Sequence, residues 1–459
     1  MYSNADERQN DFSKGPVWKN ILAQALPLTF AQLVHLLYNV VDRIYIGHLG
    51  DGSHLALTGI GLTFPVVTLI MAFSALFGAG GVPLFSIARG AGDDERAGRI
   101  LGSSAALIII SSAVLTVLGY VFCRPILFAF GASEASYVYA GAYLNIYLIG
   151  TVFSMITTGL NGYINAQGFP RVGMLSVVLG AGVNIALDPV FIFALNMGVA
   201  GAAAATVISQ ALSAVWVLRF LCGRRALIPL RAGNLTVERG ISADIVKLGT
   251  SNFIMQGTNF LVQVACNTTL QSCGGDIYVG IMTVANSIRE IFMLPMSGMV
   301  NGAQPVISYN YGAGQYARVK TGIRLHTVVG AVYMLLAWLA VYFFPRLFFG
   351  IFSDDPTMTE LGVEMIRIYF FGFVFMALQF AGQSAFQALG DARHAITFSL
   401  LRKVVIVVPL TLILPAVGFG PGGVFLAEPV SNIIGSTACY ATMRLTVYRR
   451  IDRLCKASG

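Results

Sequence analysis

Uncharged stretches long enough to cross the roughly 30 Å of a bilayer's hydrocarbon core recur along this chain. They run from Ile21 to Val41, Gly52 to Ala88, Ile100 to Cys123, Ala135 to Pro170, Leu248 to Gly275, Leu325 to Pro345, Ile368 to Gly390 and Val404 to Ala427. Some hold a span plus its connecting loop, and further spans are broken by internal charges. The pattern predicts an all-α integral membrane protein of twelve transmembrane helices, starting near residues 20, 55, 100, 137, 172, 199, 244, 278, 322, 358, 394 and 422. Six fall in each half. An even number returns the chain to its starting side, so the halves are expected to be parallel six-helix repeats.

The chain carries this duplication visibly. At an offset of 222 residues, PLFSIARGAGDDER (83–96) matches PVISYNYGAGQYAR (305–318) at Pro83/Pro305, Ser86/Ser308, Gly90/Gly312, Ala91/Ala313, Gly92/Gly314 and Arg96/Arg318. The same offset pairs Ala166, Gly168 and Arg171 with Ala388, Gly390 and Arg393, and Gly198, Gly201, Ala205 and Ser209 with Gly420, Gly423, Ala427 and Ser431. Glycine matches are individually cheap in a glycine-rich chain; the constant offset is what marks a repeat.

Composition agrees with a bilayer protein, because 56% of the 459 residues are hydrophobic and only 11% are charged, against about 25% charged in soluble domains. The net charge of +8 is a topology signal and not a nucleic-acid footprint. With both termini cytoplasmic, 24 of the 29 Lys and Arg residues fall on the inner side, Arg393, Arg402 and Lys403 among them, as expected of positive loops that resist translocation. The first fifteen residues lack the basic start and apolar core of a cleavable signal peptide. Residues 223–242 interrupt the apolar pattern with Arg, Pro and Gly. The expected organisation is a cytoplasmic tail over 1–19, helices one to six over 20–222, a cytoplasmic linker over 223–242, helices seven to twelve over 243–447 and a cytoplasmic tail over 448–459.

Six cysteines show no CxxC spacing and five histidines form no HExxH, so neither a metal centre nor a disulfide framework is expected. Nothing resembles GxxxxGK[ST], which argues against a nucleotide-driven pump. The acidic run Asp93-Asp94-Glu95, the nearest thing to the clustered acids of a membrane-embedded prenyl transferase, is followed by Arg96 and reads as a solvated loop.

Ionisable groups inside spans are costly and point to function. Four acids qualify: Asp42 toward the outer end of helix one, Asp188 in the outer half of helix five, Glu290 in helix eight and Glu428 near the outer end of helix twelve. Asn184 lies one turn before Asp188 on the same face, and Pro189 removes a backbone hydrogen bond directly after it. An amide, a carboxylate and a freed carbonyl make a site for a hard cation. Thr206 in helix six lies at a depth comparable to Asp188, and Asp42 completes the cluster if helices one, five and six meet. Two carboxylates in a dry pocket cannot both stay ionised cheaply, so a proton or Na⁺ would relieve their repulsion. Glu290 follows Arg289 and reads either as a local structural pair or as a transport acid, whereas Glu428 has no sequence neighbour to pair with. Gly and Ala are abundant at 78–81 and 200–206, which allows close helix approach. Pro27 marks a bend in helix one.

Taken together, the two six-helix repeats, Pro27 followed by VVDRIYIGHLG with Asp42, the PxxSxxxGAG loop in both halves, and NAQGFPR and QALGDAR after helices four and ten resemble the multidrug and toxic compound extrusion family, in its prokaryotic DNA-damage-inducible and drug-efflux branch. The resemblance spans residues 17 to 447. It implies two lobes around a central cavity, bending of helix one at Pro27, and an amino-terminal lobe site whose positions are filled here by Asp42, Asn184, Asp188 and Thr206. These four would also hold Na⁺ if the chain is Na⁺-coupled. It further implies that Tyr38, Tyr143 and Asn161 line that lobe; Glu428, an acid inside a span, is read from the residues alone as lobe-lining. Other branches use acids of the carboxy-terminal lobe, where this chain has Asn259, Gln379, Gln383 and Gln387.

The expectation is therefore a monomeric, multi-pass cell-membrane exporter, not an enzyme, without a cofactor. It would move amphipathic, cationic drugs or toxins outward by alternating access against H⁺ or Na⁺. A lipid-linked sugar flippase of the same superfamily is the alternative, and it calls for more basic residues inside the spans than Arg289. A channel would need a filter-like motif, and none stands out.

Overall fold

A computed structural model describes residues 9–47, 53–352 and 356–457. His48 and the side chains of Arg43 and His54 lie outside the described residues, as do the ends of both tails. All regular structure described is helical. The chain forms two compact units, one comprising Leu26–Asn252 with the segment ending at Phe12, the other Ser13–Ala25 with Phe253–Gly459.

The amino-terminal unit holds most of α1 (Val17–Gly47), then α2 (Ser53–Gly90), α3 (Asp94–Ala129), α4 (Glu134–Ile149), α5 (Thr151–Ala166), α6 (Pro170–Pro189), a π turn (Val190–Ala194), α7 (Gly198–Leu221) and the start of α8 (Arg239–Gly274). Small residues set its packing. A Cβ on Gly78 would collide with the backbone of Gly159, and one on Gly249 with that of Leu76, so α2 meets α5 and α8 nearly backbone to backbone. The linker lies along α3: Ser103 Oγ donates to Thr236 O at 2.9 Å, and a Cβ on Gly102 would strike Asn234.

The carboxy-terminal unit holds the first turns of α1, the rest of α8, then α9 (Asp276–Gly312), α10 (Tyr316–Phe343), α11 (Pro345–Gly350), α12 (Pro356–Phe370), α13 (Met376–Ala388) and α14 (Ala392–Leu400). A π turn (Leu401–Val407), α15 (Val408–Leu414), a π turn (Pro415–Phe419), α16 (Gly420–Met443), a π turn (Arg444–Tyr448) and α17 (Arg449–Ala457) complete it. Its core gathers Leu270, Ile281, Met334, Phe349, Ile366, Phe370, Phe373 and Phe425.

Nine helical segments among the described residues are long and apolar enough to cross a membrane, and α4 with α5, bent by 57°, makes a tenth. α8 is 36 residues long, and the segment from Ala392 to Lys456 is broken at Gly418, where φ is 104°, so it covers two passes. Counting α8, long enough but less apolar than the others, gives the twelve passes expected from the sequence, and each helix begins within six residues of its expected start. The helices begin earlier than the apolar runs because their first turns are polar: Asp93 caps α3 by accepting from Arg96 N at 2.9 Å, with Asp94 and Glu95 in the first turn, where acids complement the helix dipole. Each repeat closes its loop the same way. Gly92 (φ 77°) and Gly314 (φ 69°), Gly168 (φ 91°) and Gly390 (φ 74°) occupy the left-handed region at the same offset, which any side chain would strain. These turns explain why the matches fall on glycine.

Candidate functional site

Asp188 is next to last in α6 and fully buried. Asn184, one turn earlier and 1% exposed, points its Nδ2 at two acceptors, Asp188 Oδ1 at 3.3 Å and Thr206 Oγ1 of α7 at 3.4 Å. Pro189 cannot donate to the preceding turn, and the backbone widens directly after it into the π turn Val190–Ala194, a feature common at functional sites. The Ala-rich face of α7 lets this turn come close; a Cβ on Gly201 would lie 2.7 Å from Phe191.

Tyr143 of α4 closes the site. Its hydroxyl lies near Thr206, in the electrostatic field of Asp42, Tyr38 and Tyr147; its ring stacks on Tyr147 with centroids 6.0 Å apart. Asp42 also acts electrostatically on Asp188, so helices α1, α4, α6 and α7 bring Asp42, Tyr38, Tyr143, Asn184, Asp188 and Thr206 together. Tyr38 is held edge-on to His35, with centroids 4.9 Å apart. Two buried acceptors here, Asp188 Oδ2 and Asn184 Oδ1, have no hydrogen-bond partner among the described residues. Orphaned acceptor oxygens beside a second carboxylate favour a proton or an oxygen-seeking cation.

Two further positions stand apart. Asn161 donates to Gly173 O at 3.2 Å, and Gly173 precedes Asn184 by eleven residues, about 16 Å along the helix. Asn161 thus belongs to the α5–α6 contact, and the bend at Gly150 separates it from Tyr143. Pro27 lies within α1, which passes from the carboxy-terminal to the amino-terminal unit between Ala25 and Leu26.

The carboxy-terminal unit holds a constellation that linear reading missed. Glu428 of α16 is not unpaired: Lys403 Nζ lies 2.8 Å from its Oε1, Arg289 Nη1 of α9 3.6 Å and Arg402 Nη1 3.8 Å. Arg289 is therefore engaged by Glu428, and its sequence neighbour Glu290 is exposed. Arg402 and Lys403, expected among the cytoplasmic cations, are instead buried at 8% and 3% exposure. They ride the π turn Leu401–Val407, where Arg402 also donates to Asn432 Oδ1 at 2.6 Å. No local pattern links them to Glu428, 25 residues beyond Lys403; only the small residues of α16 hint at it, since Gly435 leaves room for the Arg402 stem.

The family model MatE matches residues 27–190 and 251–413, well over half of the chain. The multidrug export protein MepA of Staphylococcus haemolyticus (strain JCSC1435) is 25% identical over 449 residues, covering 98% of this chain and 97% of that protein. Crystal structures of MATE in a bent and in a straight conformation superpose with TM-scores of 0.91 and 0.90. Each is 24% identical and covers 98% of this chain, and 98% and 99% of those chains respectively.

Proposed function

The chain belongs to the MatE family, a multi-pass membrane protein, and from that premise we propose that it is a secondary active multidrug exporter. It moves amphipathic compounds out of the cell in exchange for H⁺ or Na⁺. The single observation that carries the coupling is the pair of buried, partnerless oxygens, Asp188 Oδ2 and Asn184 Oδ1, in the field of Asp42. Ion capture there cancels carboxylate repulsion and draws Asp42 of α1 toward Asp188 of α6. α1 responds at Pro27, where a missing backbone hydrogen bond makes bending inexpensive, and the drug is released outward as the two arrangements exchange.

The energetics suffice without ATP. Each tenfold ion gradient supplies about 1.4 kcal/mol, and the membrane potential adds about 2.3 kcal/mol per charge per 100 mV. We place both termini in the cytoplasm on the distribution of Lys and Arg, and take the monomer as the working unit. Multidrug export is the activity named for the curated relative MepA, which supports the drug-exporter reading. A second reading, a flippase for lipid-linked sugars, gains from one observation: Arg402 and Lys403 join Arg289 inside the spans.

The test is efflux of a cationic fluorescent dye from proteoliposomes under imposed H⁺ and Na⁺ gradients, separately and without nucleotide. Export under at least one gradient is expected. No export under either would overturn the exporter reading.

A further inference from the structure

The carboxy-terminal unit buries more positive charge than its carboxylates can neutralise. Around Glu428 Oε1, three cations, Lys403, Arg289 and Arg402, stand within 4 Å of one carboxylate oxygen, and with the exposed Glu290 acting on Arg289 alone, a formal excess of at least one positive charge remains. Among the described residues Glu428 is the one acid of this unit that is buried; Glu290, Asp276, Glu360, Glu364 and Asp452 are exposed, and Asp391 holds His394 at 2.7 Å. The other polar neighbours have partners of their own and bring no charge: Tyr369 OH donates to Asn286 Oδ1 at 2.9 Å, and Cys266 pairs with Thr411 at 3.8 Å. Uncompensated charge is expensive inside a membrane protein, and breaking a buried pair costs more than the pair contributes. A cluster kept only for stability would be balanced. This one is not, and its chemistry is specific: two guanidiniums present forked donors suited to an oxyanion, Arg289 Nε is buried with no partner, and Arg289 keeps 23% of its side chain accessible.

The internal repeat sharpens the contrast. Glu428 stands at the repeat position of Thr206, Lys403 at that of Ala181, Arg402 at that of Gly180 and Arg289 at that of Val67. The amino-terminal unit carries the acid Asp188 on α6, and the carboxy-terminal unit carries the cations Arg402 and Lys403 on the matching segment.

We propose that Arg289, Arg402 and Lys403 form an oxyanion-binding site that receives a carboxylate or phosphate group of an amphiphile. The solutes then include anionic or zwitterionic molecules and not cationic ones alone. This names a substrate class for the exporter and rests on that reading only for transport; binding itself needs no gradient. Glu428 acts as a resident competitor, occupying the cations until an oxyanion displaces it.

The test is equilibrium binding of 11-(dansylamino)undecanoate and of its methyl ester to the full chain in phosphatidylcholine nanodiscs, with empty nanodiscs subtracted. The acid should bind and the ester should bind about tenfold more weakly or not at all, the size of a lost charged hydrogen bond. Lys403→Gln should weaken the acid about tenfold, whereas Glu428→Gln, which removes the competitor, should tighten it by a similar factor. Lys403→Arg should retain binding. Arg289→Gln, at a partly accessible position, gives the same answer if either buried variant fails to fold: weaker acid, unchanged ester. Adding phosphatidylglycerol separates the sources, since a lipid-headgroup site loses the dye and a solute site keeps it; either outcome supports an oxyanion site. Equal binding of acid and ester, or Lys403→Gln and Glu428→Gln moving the acid in the same direction, overturns the proposal. Failure of dye export with intact acid binding would instead count against the exporter reading.

Discussion

Asn184 Nδ2 donates to Asp188 Oδ1 across one turn of α6, at 3.3 Å. The amide satisfies one carboxylate oxygen and leaves the other, Oδ2, buried without a partner among the described residues. An unsatisfied oxygen in a fully buried position is a cost to the fold that only an incoming proton or cation removes.

That cost should be visible in stability. Asp188→Asn replaces a buried charge by a neutral amide of the same size, so the variant should unfold at a higher temperature than wild type in ion-free buffer, by about 1 kcal/mol at the midpoint. Thermal unfolding in detergent reads this directly. A less stable variant would mean that the carboxylate is a structural anchor.

Ion binding should appear in the same measurement. A ligand that binds only the folded state stabilises it by about 2.7 kcal/mol at a hundred times its dissociation constant. Raising Na⁺ against choline, or lowering pH at fixed Na⁺, should raise the unfolding temperature of wild type in at least one series. Asp188→Asn should respond to neither, and an identical response in the variant would place the ion elsewhere.

The bend between α4 and α5 aims Tyr143 at Thr206. Gly150 has ordinary right-handed backbone angles, so adding a methyl group there costs nothing in φ; the obstacle is Val207, whose Cγ2 would lie 2.6 Å from the new Cβ. Gly150→Ala should destabilise by about 1–3 kcal/mol, outweighing the entropy gain of about 0.4–1 kcal/mol from removing a glycine. Combining it with Val207→Ala should recover most of the Gly150→Ala loss in a double-mutant cycle of thermal unfolding. Simple additivity would show that the contact does not set the bend.

These positions also mark how far the sequence could be read. Helix starts and the doubled loops were legible because hydrophobic runs have a fixed length and because Gly92, Gly168 and their repeat partners must take positive φ. Asn184 and Asp188 were legible because one helical turn places both on one face, and Pro189 announced the irregular backbone that follows. The bend at Gly150 was not, since a lone glycine in a glycine-rich span has no distinguishing neighbour and its role depends on Val207, 57 residues away. Arg402 and Lys403 misled for a different reason. Charges bounding an apolar run look like a membrane edge, yet here the helix continues through them and turns both inward to Glu428. Asn161 illustrates the limit of reading along one helix: a polar side chain on the same span as Tyr143 serves a different contact once the span is broken.

Ion coupling is tested most directly by gradient-driven dye efflux from proteoliposomes containing wild type, Asp42→Asn or Asp188→Asn, under separately imposed H⁺ and Na⁺ gradients. Wild type should export under at least one gradient, and each substitution should reduce that export at least about tenfold, since a neutral side chain at either position removes charge that holds the ion. Efflux in both variants equal to wild type would contradict the assignment of ion coupling to Asp42 and Asp188.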